Sequence, residues 1–238
     1  MAVVLADGKR VGYSGDFSYP IDSVIQVDEL VVDATYGDPA TDRAYSQLEA
    51  EEALLEHVRR ALREGPVHIL AHGGVTERAL AVLHGAEVTH DVPVLAGRPM
   101  CDAVDIHRRA NYPLPPVYEA ESERGLRSLS EGRYVRCWGH GQSMSNDALP
   151  GTVFRLTKFA ADEVIKQESD RLFRIGLSNH ADFDGTMEYV ERTGARFVLT
   201  DGSRSSPQKA RALAAAISRE LEIDARPAVP RRTLHYGR

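Results

Sequence analysis

Residues 175–202 read IGLSNHADFDGTMEYVERTGARFVLTDG, and the parsing of this stretch decides the fold. It opens inside a short apolar run, residues 172–177, with the length and composition of a buried strand. The run breaks at Ser178-Asn179-His180-Ala181-Asp182. A helix pattern follows, with Asp182 or Asp184 as candidate N-cap and Gly194 where a left-handed C-terminal stop is wanted. A second apolar run, Phe197-Val198-Leu199, then ends in Thr200-Asp201-Gly202. Two strands joined by a helix would carry His180 and Asp201 to the carboxyl edge of one parallel sheet. Ligand-binding groups collect at that edge in open α/β sheets.

The same grammar recurs toward the N-terminus. Val3-Val4-Leu5, an Asp7-Gly8 turn and the run from Lys9 to Tyr13 predict a hairpin whose second strand enters Ser14-Gly15-Asp16. Leu30-Val31-Val32 predicts a buried strand ending in Asp33-Ala34-Thr35-Tyr36-Gly37. Four strand ends thus carry an acid or a histidine: Asp16, Asp33, His180 and Asp201.

Between them lies a separate α/β pattern. Ser46 and Glu49 have the spacing of a capping box, before a helix whose stripe is read as Leu48, Leu55 and Leu62. A strand at residues 67–70, the turn His72-Gly73-Gly74, a helix capped by Thr76, and a strand at residues 92–95 make a Rossmann-like unit. Its Thr76 end is placed to cradle an anion. Residues 100–112 read as helical, residues 119–132 as loop or short helix, and residues 134–138 and 153–156 as strands. Ser206 and Pro207 open a last helix with Leu213, Ile217 and Leu221 on its buried stripe, before a last short strand.

Composition bounds the function. The 238 residues carry a formal net charge of −6, so nucleic acid would have to be held by a local patch rather than a general basic field. Cys101 and Cys137 form no CxxC pair, which points to a reducing compartment without a disulfide framework. No run has the length of a membrane span and no signal-peptide pattern opens the chain, so a cytoplasmic protein is expected.

The wording of the strand ends resembles the β-CASP branch of the metallo-β-lactamase superfamily, the nucleic-acid-processing branch. Ser178-Asn179-His180-Ala181-Asp182 is similar to its histidine motif, Asp33-Ala34-Thr35-Tyr36-Gly37 to its acidic motif, and Gly15-Asp16 to its Gly-Asp motif. The resemblance covers nearly the whole chain. It implies an α/β fold in which residues 1–40 and 170–238 form the C-terminal half of a metallo-β-lactamase αββα sandwich. Residues 41–169 would be the inserted Rossmann-like β-CASP domain. It also implies zinc-dependent phosphodiester hydrolysis, with RNA the expected substrate and DNA possible by kinship.

Roles carry over residue by residue. Asp33 and His180 would be the catalytic pair near the scissile phosphate. Asp16 would be a metal ligand bridging two zinc ions, and Asp201 would stand where relatives place a histidine ligand or a valine. Arg78, Ser178 and, in a Ser-Met loop, Ser143 would be substrate contacts. The chain departs from the pattern in one large respect: it contains no HxHxDH, and none of its nine histidines precedes His57. The sequence opens where a relative would already have passed that motif. The expectation is therefore a chain that is inactive unless a metal-binding N-terminal half is supplied, with an apolar sheet face covered by that half or by a second copy. Two other readings stay open: a non-catalytic binder of RNA or of a partner nuclease, and an α/β module for a small phosphorylated ligand.

Overall fold

A computed structural model describes residues 1–21, 23–39, 44–139, 149–157, 163–203 and 206–228. These residues form a mixed α/β protein of twelve strands and six helices in two compact units. The first unit comprises Met1–Asp42 and His180–Arg238, the second Arg43–Asn179.

In the first unit, β1 (Ala2–Val4), β2 (Arg10–Tyr13), β3 (Glu29–Asp33), β11 (Phe197–Asp201) and β12 (Asp224–Ala228) lie side by side in that order. The β1–β2 pair is the expected antiparallel hairpin, and every other neighbour is parallel. Helix α6 (Pro207–Glu220) returns the chain from β11 to its parallel neighbour β12, and helix α5 (Phe183–Thr193) precedes β11. Their caps follow the sequence signals. The Asp182 side chain accepts from Gly185 N, Gly194 ends α5 at φ 67°, and Ser206 caps α6 ahead of Pro207. Leu30, Val32 and Val198 share one core with Met187 and Val190 of α5 and Leu213 and Ile217 of α6. Gly37 lets the chain after β3 pass against α6, because a Cβ there would stand 2.6 Å from the Lys209 carbonyl oxygen.

The second unit is a seven-stranded sheet in the order β6 (Val117–Glu119), β5 (Val94–Ala96), β7 (Val135–Gly139), β4 (Val67–Ala71), β8 (Thr152–Leu156), β10 (Leu172–Ile175), β9 (Ile165–Ser169). All pairings are parallel except β9 with β10. Its helices are α1 (Gln47–Ala61), α2 (Val75–Gly85), α3 (Arg98–Arg109) and α4 (Glu123–Glu131).

Three expectations are corrected here. The strand before His180, β10, pairs with β8 and β9, so residues 170–179 belong to the second unit and not with β3 and β11. Strand β10 pairs along its length with β8 and forms a hairpin with the edge strand β9, whose exposed Lys166, Gln167 and Glu168 hide it in the sequence. Helix α1 has the capping box at Ser46, but it buries Gln47, Ala50, Leu54, Val58 and Ala61 and leaves Leu48 63% exposed. Helix α2 is capped by Gly74 at φ 82°, while Thr76 lies inside it with its hydroxyl donating to the His72 carbonyl. No described helix is long and apolar enough to cross a membrane.

Candidate functional site

The first unit gathers four of the residues singled out by sequence at the carboxyl end of its sheet. Asp33 and Asp201 end β3 and β11 and are register partners. Beyond β2 the chain turns at Gly15, φ 60°, a conformation that favours glycine, and presents Asp16. The Ser14 hydroxyl accepts from Asp33 N at 3.1 Å, which ties this turn to the end of β3.

His180 arrives by a different route from the one expected, because β10 is not in this sheet. Its loop is held by Ala181 N donating to the Phe17 carbonyl at 2.6 Å. Phe17 in turn packs on Tyr189 of α5, with ring centroids 4.5 Å apart. The loop after the Gly-Asp turn and helix α5 therefore set the histidine.

The expected contact is present. His180 Nδ1 lies 2.7 Å from Asp33 Oδ2, and Asp33 Oδ1 accepts from Thr35 N at 3.1 Å and from the Thr35 hydroxyl at 2.8 Å. A carboxylate oxygen accepts, so Nδ1 carries the proton and, in the neutral ring, Nε2 carries the lone pair. Nε2 stands 3.9 Å from Asp16 Oδ2. The side chains of His180 and Asp33 are only 10% and 11% exposed, against 32% for Asp16, so the pair is shielded and Asp16 is the most open of the three. Tyr36 sets its ring edge-on to His180, and Lys209 donates from Nζ to the Thr35 carbonyl at 2.8 Å. Sequence reading missed Thr35, Tyr36 and Lys209 as supports. The first two lie inside the acidic motif; Lys209 carries no local signal.

Asp201 accepts from Ser203 N at 2.8 Å. With Tyr13, Gly15, Asp16, Asp33 and Ser203 it lines a cavity of about 10 Å³. That is room for about one water-sized group. Among the described residues, Asp16, Asp33 and His180 are the one group of three metal-ligand side chains, their ligand atoms within 4.8 Å of one another. This arrangement can hold a cation. It does not fit a two-zinc centre, which takes about three protein ligands per ion and draws mainly on histidines.

Arg78 and Ser178 meet in the second unit. Arg78 Nη1 donates to the Ser178 carbonyl and Nε to Glu51, both at 2.7 Å, and Ser178 N donates to Gln47 Oε1. The Arg78 side chain is 14% exposed and engaged in these bonds. Both groups tie the end of β10 to α1 and α2. Gln47, buried and carrying this tie, was invisible as one polar residue inside a helix pattern. At the glycine turn, Glu77 accepts from Gly74 N at 2.5 Å, and a carboxylate there opposes a bound anion. Ser143 lies outside the described residues.

No family model matches the chain. It is similar to an uncharacterized protein in the lig 3' region of Acidianus ambivalens, 34% identical over 85 residues. That match covers 35% of this chain and 60% of the relative's length.

Proposed function

We propose that this protein is a nucleic-acid-processing member of the β-CASP metallo-β-lactamase kind, working on RNA in the cytoplasm, and that its first unit is one half of a phosphodiester site. On this reading the first unit is the C-terminal half of a metallo-β-lactamase sandwich and the second is the β-CASP insertion. The supporting observation is the 2.7 Å bond between Asp33 and His180, two motif residues 147 positions apart. Such a pair suits a phosphate site: the carboxylate fixes the ring, and Nε2 is left to donate to a phosphate or leaving oxygen when protonated or, when neutral, to ligate a cation that binds the phosphate. Asp16 and Asp201 supply the negative wall that a cation would bridge to the phosphate.

Hydrolysis asks for more. Both the attacking and the leaving oxygen carry charge that must be neutralised. One imidazole among carboxylates leaves that undone, so a further polypeptide segment bearing the missing ligands would complete the reaction. The same segment, or a second copy of this chain, would cover the open face of the five-stranded sheet. The shortage of ligands also favours a second reading, in which the chain binds RNA or a partner nuclease and does not cut.

Fluorescence anisotropy with a labelled single-stranded RNA tests the proposal. Saturable, salt-sensitive binding that weakens about tenfold in His180→Ala is expected. No binding at low salt, or affinity indifferent to His180, would overturn it. Equal affinity for DNA of the same sequence would remove the assignment to RNA.

A further inference from the structure

The disagreement between this chain and a two-zinc centre points to a site of another kind. We propose that Asp16 and His180 bind a single divalent cation of the hard to borderline class, with Asp33 as a positioning residue rather than a ligand.

The geometry carries this. Asp33 takes the Nδ1 side of His180 at 2.7 Å and is itself fixed by two bonds from Thr35. A ligating histidine is usually held in this way, its other ring nitrogen bonded to a carboxylate that sets tautomer and orientation. Nε2 is then the ligand atom, 3.9 Å from Asp16 Oδ2. That is too long for a hydrogen bond. It lies within the span of two ligands of one ion, between the separation of about 3 Å at a right angle and about 4.2 Å when opposed, for ligand distances of about 2.1 Å. Among the described residues no further metal-ligand side chain joins Asp16, Asp33 and His180, and a pair of ions would need several more.

The donor set decides the class of ion. One imidazole and one carboxylate, with waters for the remaining positions, match manganese better than a sulfur- or histidine-rich zinc site, while the imidazole counts against magnesium. Asp16 is 32% exposed, which gives the ion a route in and leaves water positions open.

The test uses the full chain, stripped with chelator and titrated with Mn²⁺ while free Mn²⁺ is followed by electron paramagnetic resonance. One ion per chain is expected, and the bound ion should show nitrogen coupling from an imidazole. Asp16→Asn should weaken binding at least about tenfold, and His180→Gln should remove the nitrogen signal. Asp33→Ala should weaken the nitrogen signal and cost about tenfold in affinity although no ligand is removed. Asp224→Asn, on an exposed position of the same unit, should change nothing. Two ions per chain, none retained at millimolar Mn²⁺, or a wild-type complex without nitrogen coupling would each overturn the proposal, whatever the variants do. RNA plays no part in the measurement, so it stands or falls separately from the functional reading.

Discussion

In the seven-stranded sheet, β4 is buried at four of five positions and β5 at all three, whereas β3 and β11 of the five-stranded sheet alternate between buried and half-buried. Both sheets are largely parallel, and parallel sheets are normally covered on both faces. Among the described residues, the first unit covers one, with its helices. Register places Val3, Val11, Tyr13, Val31, Phe197 and Leu199 together on the other face, with Val3 48% and Tyr13 42% exposed. The same face carries Asp33 and Asp201 at its carboxyl end. On the proposed reading, one covering layer would serve both the apolar face and the candidate site.

The largest effect that could break this contrast is thermodynamic. Phe154, fully buried in the second unit, should cost about 3–5 kcal/mol on Phe154→Ala, while Leu199→Ala on the open face should cost less than about 1 kcal/mol. Chemical denaturation of the two variants gives the comparison, and equal losses would mean that the face is not open. Next comes association. An apolar face of this kind seldom stays bare, so sedimentation should show a concentration-dependent dimer that Leu199→Lys disperses. A wild-type monomer at every concentration would remove the second copy as the covering layer.

The smallest effect concerns pH and belongs to the covered sheet. His68 is fully buried, with Nδ1 accepting from Trp138 Nε1 and Nε2 donating to the Pro150 carbonyl, both at 3.0 Å. Burial pushes its pKa below the ordinary 6.5, against a smaller upward pull from the Pro150 bond. The unfolded chain then binds the proton first. The stabilisation is complete above about pH 6.5 and is lost as pH falls toward the depressed native value. Thermal melts between pH 7.5 and 5 should therefore fall, and His68→Gln should flatten that part of the slope. An unchanged slope in the variant would place the titration elsewhere.

What could be read in the sequence was local chemistry. The caps at Ser46, Asp182 and Ser206 lie where side-chain oxygens precede helix patterns, because a cap involves only neighbours in the chain. The pairing of Asp33 with His180 was also legible, though through motif resemblance. The physical reason first attached to it, a shared sheet, fails because β10 joins the other sheet. Strand partnership is non-local: β10 pairs with β8 and with the polar edge strand β9, which carries no alternation to reveal it. The tie of Arg78 to Glu51 and Ser178 was hidden for the same reason, as its partners lie 27 and 100 positions away. The buried stripe of α1 was misread because Gln47, Ala50 and Ala61 share it with Leu54 and Val58, while Leu48 faces outward.

The account turns on the claim that this chain holds half of a phosphodiester site. The most direct measurement incubates the purified chain with labelled single-stranded RNA, with Mn²⁺ or Zn²⁺ added, beside Asp16→Asn prepared in parallel. The account predicts no cleavage above the level of the Asp16→Asn protein with either metal. Metal-dependent cleavage by the unaltered chain, abolished by Asp16→Asn, would contradict it.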